Sequence, residues 1–324
     1  MAAVPLSEYM NNMKPGIPAA IVDDLIRKSM VLQVLPFRNI DTLSDKGARW
    51  QGLPTSGKRK LNGAYTPAFG TKEEVVETLF IYGGEIQIDR ILTKSRSLFK
   101  PELDIQVDML TESVSRTFNY DFMKGDHGVD PDGMEGLYKR VGNMASRYTI
   151  SLESGGATLD VLASSTNVQK YLDAMHKASA YIGGADVIFC NETGHIGVGQ
   201  ALRRSGLLST STDAYGRVWD TLDLGGSKPK LIDVGLKTDL STEIIPLTEG
   251  TDSGSTSFFV CKMGAETGLN GLQLNGTGPE VYDPLGGGEL SSTPGYLRRI
   301  DWACGLKNVS NNFSIARVTG VKFV

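Results

Sequence analysis

Apolar positions between residues 101 and 125 follow one period. Leu103, Val107, Leu110, Val114 and Phe118 recur at spacings of four, three, four and four. That is a single stripe along a helix of about six turns. Pro101 suits its first turn, Gly125 its end, and Glu102, Asp104 and Asp108 complement the positive end of the helix dipole. The pattern predicts a long spine helix. Before it the period shortens to two. Val31–Phe37 reads as a strand ended by Pro36, and Glu77–Ile91 as a longer one, with alternation clearest over Glu85–Asp89. Gly83-Gly84 in that strand marks a bulge or a close backbone approach. Residues 1–16 read as an extended polar tail, and Ile17–Ser29 as a short amphipathic helix with Ile21, Leu25 and Ile26 on one face.

Beyond Gly125 the elements shorten. Met134–Arg140 is a short amphipathic piece, Ser164–Ser179 a helix, and Ala185–Cys190 a buried strand. Gly199–Gly206 reads as a short helix with Gly206 as its cap. Strands follow at Tyr215–Asp223, Pro229–Gly235 and Thr256–Met263, and the chain closes with two more, Tyr296–Leu306 and Phe313–Val324. This order predicts a small α/β unit from about residue 155, in a chain that is α+β as a whole. No internal repeat or low-complexity segment interrupts it.

The stretch Lys46–Lys72 breaks both periods. It carries Lys46, Arg49, Lys58, Arg59, Lys60 and Lys72 and no acid, with too few apolar residues and too many Gly and Pro for a core of its own. Strand-like segments bracket it. It therefore reads as an arm held out from a folded body, and an arm of this kind needs another surface to lie on.

Composition narrows the class. The chain has 324 residues, 40% apolar and 22% charged, which suits a folded protein of about two domains. Its net charge of −4 gives no global attraction for nucleic acid. Three widely spaced cysteines, Cys190, Cys261 and Cys304, argue against a disulfide framework and for a reducing compartment. The first residues do not read as a signal peptide, and no apolar run approaches the ~18 residues of a membrane span.

Candidate chemistry fails on spacing. Gly52–Arg59 is nearly a P-loop, but Arg59 stands where the magnesium-binding hydroxyl belongs, Pro54 disturbs the loop and no helix start follows. Asp126–Gly133 resembles a calcium loop, yet Gly128 and Lys139 occupy ligand positions, so a turn is the better account. Glu192 and His195 have the spacing of a metal pair, but Gly194 and Gly197 argue against a helix to hold it. Leu202 falls where a dinucleotide fingerprint needs its third glycine. Cys190 closes a buried strand and His176 sits in a helix, both commoner as structure than as catalysts. No catalytic residue, cofactor or metal is expected.

The order of elements, more than any motif, resembles the major capsid protein of tailed bacteriophages, with the fold named after phage Hong Kong ninety-seven. The strings LFIYGGEIQIDRIL (79–92), PDGMEGLYKRVG (131–142), STSFFVCKMGAETGLNGLQLNG (255–276) and YLRRIDWACGLKNVSNNFSIARVTGV (296–321), with Trp302, Gly305 and Arg317, carry the resemblance. It covers about residues 17–324. It implies an N-terminal arm with a short helix over 1–35 and an E-loop hairpin over 40–76. A peripheral domain would comprise 77–154 plus 300–324, and an axial domain 155–299.

What the resemblance implies about function follows from that frame. Copies would assemble as hexamers and pentamers into an icosahedral head around double-stranded DNA, held without sequence specificity. Assembly would take place in a host bacterial cytoplasm, with a separate scaffolding protein, a portal protein, optionally a decoration protein, and no membrane. The arm's Arg49, Lys58, Arg59 and Lys60 would meet Glu102, Asp104, Asp108 and Glu112 of a neighbour's spine helix. Some members cross-link an E-loop Lys to a C-terminal Asn. Lys58, Lys60, Asn311 and Asn312 are available in type, but no isolated acid stands beside the asparagines, so no cross-link is expected. Two other readings stay open: an encapsulin-type shell that encloses a cargo enzyme, and a soluble α/β enzyme with a basic lid that uses Cys190 or His195.

Overall fold

The computed structural model describes residues 4–5, 28–91, 102–206, 208–212, 218–265, 267–274, 279–286, 290, 294–308 and 314–323. Strand β1 (Val4–Pro5) pairs with β2 (Pro36–Ile40). Between them lies α1 (Met30–Val34), where the sequence pattern predicts a strand. The helix forms because Ser29 caps it, its hydroxyl accepting from the Leu32 N–H at 3.2 Å and donating to Asn119 Oδ1 at 2.6 Å. It stops at Leu35 because the residue before a proline is pushed out of helical geometry. The helix predicted over Ile17–Ser29 lies almost wholly outside the described residues.

Strands β3 (Ser44–Gly52) and β4 (Thr71–Thr78) form a separate two-stranded ribbon, registered from Ser44 opposite Thr78 to Gly52 opposite Thr71. The arm therefore has a paired stem. Strand β5 (Phe80–Asp89) then runs antiparallel to β15 (Gly295–Asn308) over ten pairs. The close approach expected at Gly83 is real: a Cβ there would lie 1.9 Å from the Ile300 carbonyl oxygen. The spine helix, α2 (Glu102–Lys124), has the predicted span and lies on β5. A short helix, α3 (Leu137–Gly142), follows it.

The remaining elements build a second sheet. Strands β6 (Thr149–Ser151) and β7 (Leu159–Asp160) precede α4 (Ser165–Tyr181), β8 (Val187–Cys190) and α5 (Glu192–Ser205). After them come β9 (Leu208–Thr212), β10 (Val218–Leu222), β11 (Lys230–Asp233) and β12 (Ser255–Cys261). Strands β13 (Leu269–Leu274) and β14 (Glu280–Tyr282) return to the first sheet, and β16 (Ile315–Lys322) ends the chain in the second. The first sheet runs β1-β2-β13-β15-β14, with β5 also on β15. The second runs β6-β16-β12-β8-β11-β10-β9, with β7 on β16.

One expectation is corrected here, the start of α5. The last strand pairs with β12 and with β6, the latter within residues 77–154. Its Ala316, Val318 and Val321 are buried under α4 and α5, a packing that its own alternation cannot reveal. Helix α5 begins at Glu192, not near residue 199. Asn191 caps it, accepting from the Gly194 N–H at 2.9 Å, and the glycines admit close neighbours instead of breaking the helix. A Cβ at Gly197 would sit 2.3 Å from Phe323 Cγ.

One helix ties the sheets together. Phe118 of α2 packs on Trp302 of β15 with ring centroids 5.2 Å apart, and Phe122 on Phe189 of β8, also at 5.2 Å. The end of the predicted stripe, Val114 and Phe118, thus lies in the seam between sheets, where Phe122 and Met123 beyond it are also buried, while Leu103, Val107 and Leu110 are half-buried. Tyr82 donates from β5 to Asp121 Oδ2 at 2.9 Å, closing the seam with a polar contact. Burial holds the Asp121 carboxyl above the usual carboxylate range; the Tyr82 hydrogen bond opposes this and the charge on Asp130 adds to it.

Two predictions follow from this packing. Gly197→Ala should destabilise the chain by about 1–3 kcal/mol through the clash with Phe323. Gly199→Ala meets nothing within 4 Å and should stabilise by up to about 1 kcal/mol. Urea denaturation of both reads the difference, and equal shifts would contradict the packing. The second concerns pH. Native Asp121 holds its proton more tightly than the unfolded chain does, so stability falls as pH rises from about 3.9 through the higher native value. Asp121→Asn should be more stable than the parent at pH 7 and indistinguishable from it at pH 3.

Candidate functional site: the arm and its root

The ribbon is fastened at its root by charge. On β3, Asp45 Oδ2 accepts from Arg38 Nη2 at 3.0 Å and from Lys307 Nζ at 2.5 Å. On β4, Glu77 takes both arms of the Arg140 guanidinium, at 2.7 and 2.9 Å. Arg140 also donates to the carbonyls of Glu135 and Leu306, so each of its three nitrogens is engaged. The Arg140 and Glu77 side chains are 8% and 15% exposed, so water screens this pair little. The Leu79 N–H donates to the Leu43 carbonyl at 2.9 Å, joining the two strands where they leave the body.

Along the stem, pairing changes the charge that the sequence suggests. Strand β4 sets Glu73 opposite Arg49 and Glu74 opposite Ala48, and Lys46 pairs with Glu74 at 3.3 Å. Arg49 lies in a cleft with Glu73, Glu74 and Glu77. The stem is therefore mixed in charge, and Lys58, Arg59 and Lys60 lie together at the tip.

That tip, residues 53–70, exposes Lys58, Arg59 and Lys60. Arg59 stacks over the Tyr65 ring at 5.3 Å and donates to the Gly63 carbonyl at 3.3 Å. Leu53, Leu61, Tyr65 and Phe69 are 65–93% exposed. So many large apolar groups beside three cations mark a contact surface. No helix follows the Gly52–Arg59 segment, so it offers no phosphate cradle.

The spine acids are less available than their sequence suggests. Glu112 is held by Arg116 at 2.8 Å on its own helix, and Asp104 is exposed. The backbone carbonyl of Asp108 accepts from Lys28, and the Glu102 side chain lies outside the described residues. Among the described residues no ion pair joins the arm cations to these acids within one chain. Asn311 and Asn312 also lie outside.

The rejected motifs resolve into structure. Asp126 accepts from the Gly128 N–H and from Lys139, and Asp130 from the Asp132 N–H, as in a turn. Glu192 and His195 share α5, but among the described residues no group of three or more side chains could hold a metal. Cys190 is fully buried, with its thiol pushed well up by that burial, which suits core and not a nucleophile. No helix among the described residues is long and apolar enough to cross a membrane.

The anchors Asp45, Glu77, Arg140 and Lys307 are absent from the sequence-derived candidates. A faint signal exists: Asp45 immediately precedes the acid-free stretch and Glu77 soon follows it.

No protein-family model and no curated protein matches the sequence. The fold does match solved structures. The chain superposes on the holo encapsulin complex from Synechococcus elongatus with a TM-score of 0.60 at 12% identity, covering 98% of this chain and 94% of that one. The capsid of a native GTA particle gives 0.57 at 15%, covering 97% and 93%. Microbacterium phage Oxtober96 gives 0.54 at 10%, covering 95% and 93%. The fold is the Hong Kong ninety-seven-type capsid fold, over nearly the whole chain.

The root makes its own prediction. Glu77→Ala strands a buried guanidinium and should cost about 3 kcal/mol, whereas Lys46→Ala removes an exposed pair and should cost less than about 0.5 kcal/mol. Urea midpoints separate the two, and limited proteolysis should nick the arm faster only in the first.

Proposed function

We propose that the chain is the major capsid protein of a tailed bacteriophage, a structural subunit and not an enzyme. One observation carries this: a capsid fold over nearly the full length bears an arm whose apolar and cationic tip is exposed among the described residues. Copies tile an icosahedral shell in hexamers and pentamers, each arm lying across a neighbour. Double-stranded DNA fills the head, and scaffolding, portal and decoration proteins act as partners during assembly in the host cytoplasm. Single exposed ion pairs contribute only about 0–1 kcal/mol, but symmetry repeats each contact and multivalency adds to it.

The encapsulin superposition, at a TM-score of 0.60, keeps a second reading: a shell around a cargo protein. The contents of purified particles separate the two, since packaged DNA excludes the cargo shell.

The triple variant Lys58→Glu, Arg59→Glu, Lys60→Glu should lower the yield of closed particles at least ten-fold in electron micrographs. Its circular dichroism should match the parent's. Normal particles from this variant would sink the role given to the arm.

A further inference from the structure

Helices α4 and α5 both touch the short 3₁₀ turn Val161–Ala163. Between the three lies a groove of about 540 Å³, within the ~300–1,000 Å³ of sites that take small molecules. Its walls are tied together by hydrogen bonds. Asp160 Oδ1 accepts from the Leu162 N–H at 3.1 Å, and the Asp160 carbonyl accepts from Asn167 Nδ2 at 2.6 Å, which joins the turn to the start of α4. Ser164 caps α4, its hydroxyl accepting from the Asn167 N–H at 3.2 Å. From the last turn of α5, Arg204 reaches across and donates from Nη1 to the Leu162 carbonyl at 2.9 Å.

The lining divides by chemistry. Leu162, Val168 and Leu172 give it an apolar floor, and Val168 and Leu172 share a face of α4 because they stand four residues apart. Val168 is buried and the two leucines are half-buried. Ser165 and Gln169 add neutral polar groups at the exposed rim. Among the described residues of the lining Arg204 alone is charged, with no carboxylate or imidazole beside it. Its guanidinium gives one N–H to Leu162, and Nε and Nη2 have no partner among the described residues, so most of the fork is open to an anion. A metal cation would find no acidic ligand here, and a polyanion would find one cation. The fitting ligand has a single anionic head on an apolar body.

We propose that this groove between α4 and α5 binds a small amphiphilic anion, a monocarboxylate carried on an alkyl chain. The carboxylate meets Arg204 through Nε and Nη2, a two-pronged pair that a guanidinium suits better than an ammonium would. The alkyl chain lies along Leu162, Val168 and Leu172 and removes their remaining exposed surface from water. The Arg204–Leu162 bond already holds α5 against the turn, so the site exists before the ligand arrives and little ordering is needed on binding. This inference stands on the groove alone and does not depend on whether copies assemble.

Titration calorimetry of the full chain with octanoate tests this, with 1-octanol as the neutral probe of equal chain length. Octanoate should bind once per chain with a Kd below about 1 mM, and 1-octanol at least about ten-fold more weakly. Arg204→Gln should weaken octanoate at least about ten-fold by removing a charge-assisted pair, and Leu172→Trp should abolish binding by filling the floor. Circular dichroism of both variants should match the parent; Arg204 is exposed, so its variant keeps the test open even where Leu172→Trp misfolds. A diazirine-bearing octanoate, irradiated on the parent and mapped by peptide mass spectrometry, should label residues 162–172 or 204–205. No binding by the parent, equal binding of the two probes, undiminished binding by Arg204→Gln, or labelling elsewhere overturns the proposal. Binding to dispersed chains that is lost in assembled particles would give the groove to a second copy and also overturn it.

Discussion

A two-stranded ribbon standing apart from any third strand is marginal in water, so this arm depends on the charges that hold its root. Asp45 and Glu77, one on each strand, are fastened to cations on the body: Arg38 and Lys307 for the first, Arg140 for the second. Arg140 is itself fixed by the carbonyls of Glu135 and Leu306. A ribbon held on one strand only could swing about that strand. Held on both, it projects in one direction, and the tip arrives at a definite place.

The anchors work because the body beneath them is stiff. Leu306 and Lys307 lie on β15, which pairs with β5, β13 and β14 and carries Trp302 in its buried face. Phe118 stacks on Trp302 and Phe122 on Phe189, so α2 transmits the first sheet's position to the second. Trp302 is fully buried although its indole N–H has no partner among the described residues. Ring packing at the seam evidently outweighs one lost hydrogen bond, which is on the order of 1–3 kcal/mol. A rigid body, a fixed arm and an exposed tip together suit a shell, where small angular errors would prevent closure.

Much of this was legible in particular residues. The spacing of Leu103 to Phe118 marks the spine helix and its buried side, because a 3.6-residue period has one structural solution. Gly83 announces the close approach of β15. The acid-free composition of 46–72 announces a projecting arm. Other features misled for physical reasons. Val31–Val34 carries two valines and a leucine, like a strand, but the Ser29 cap and Asn119 behind it select a helix. Gly194 and Gly197 resemble helix breakers, yet Phe258 and Phe323 occupy the space their side chains would need. Asp45, Glu77, Arg140 and Lys307 carry no local signal as a set, because their partners lie 63 and 262 residues apart in the chain.

The amino-acid sequence by itself determined the elements that depend on local periodicity, the basic character of the arm tip and, through the order of those elements, the capsid fold. Only the tertiary structure decided which sheet takes the last strand and that the stem's basic residues face Glu73 and Glu74. Periodicity and capping act within a few residues, so they can be read along the chain. Sheet membership and ion pairing depend on which distant segments share a surface, and that is fixed only when α2 packs the two sheets together.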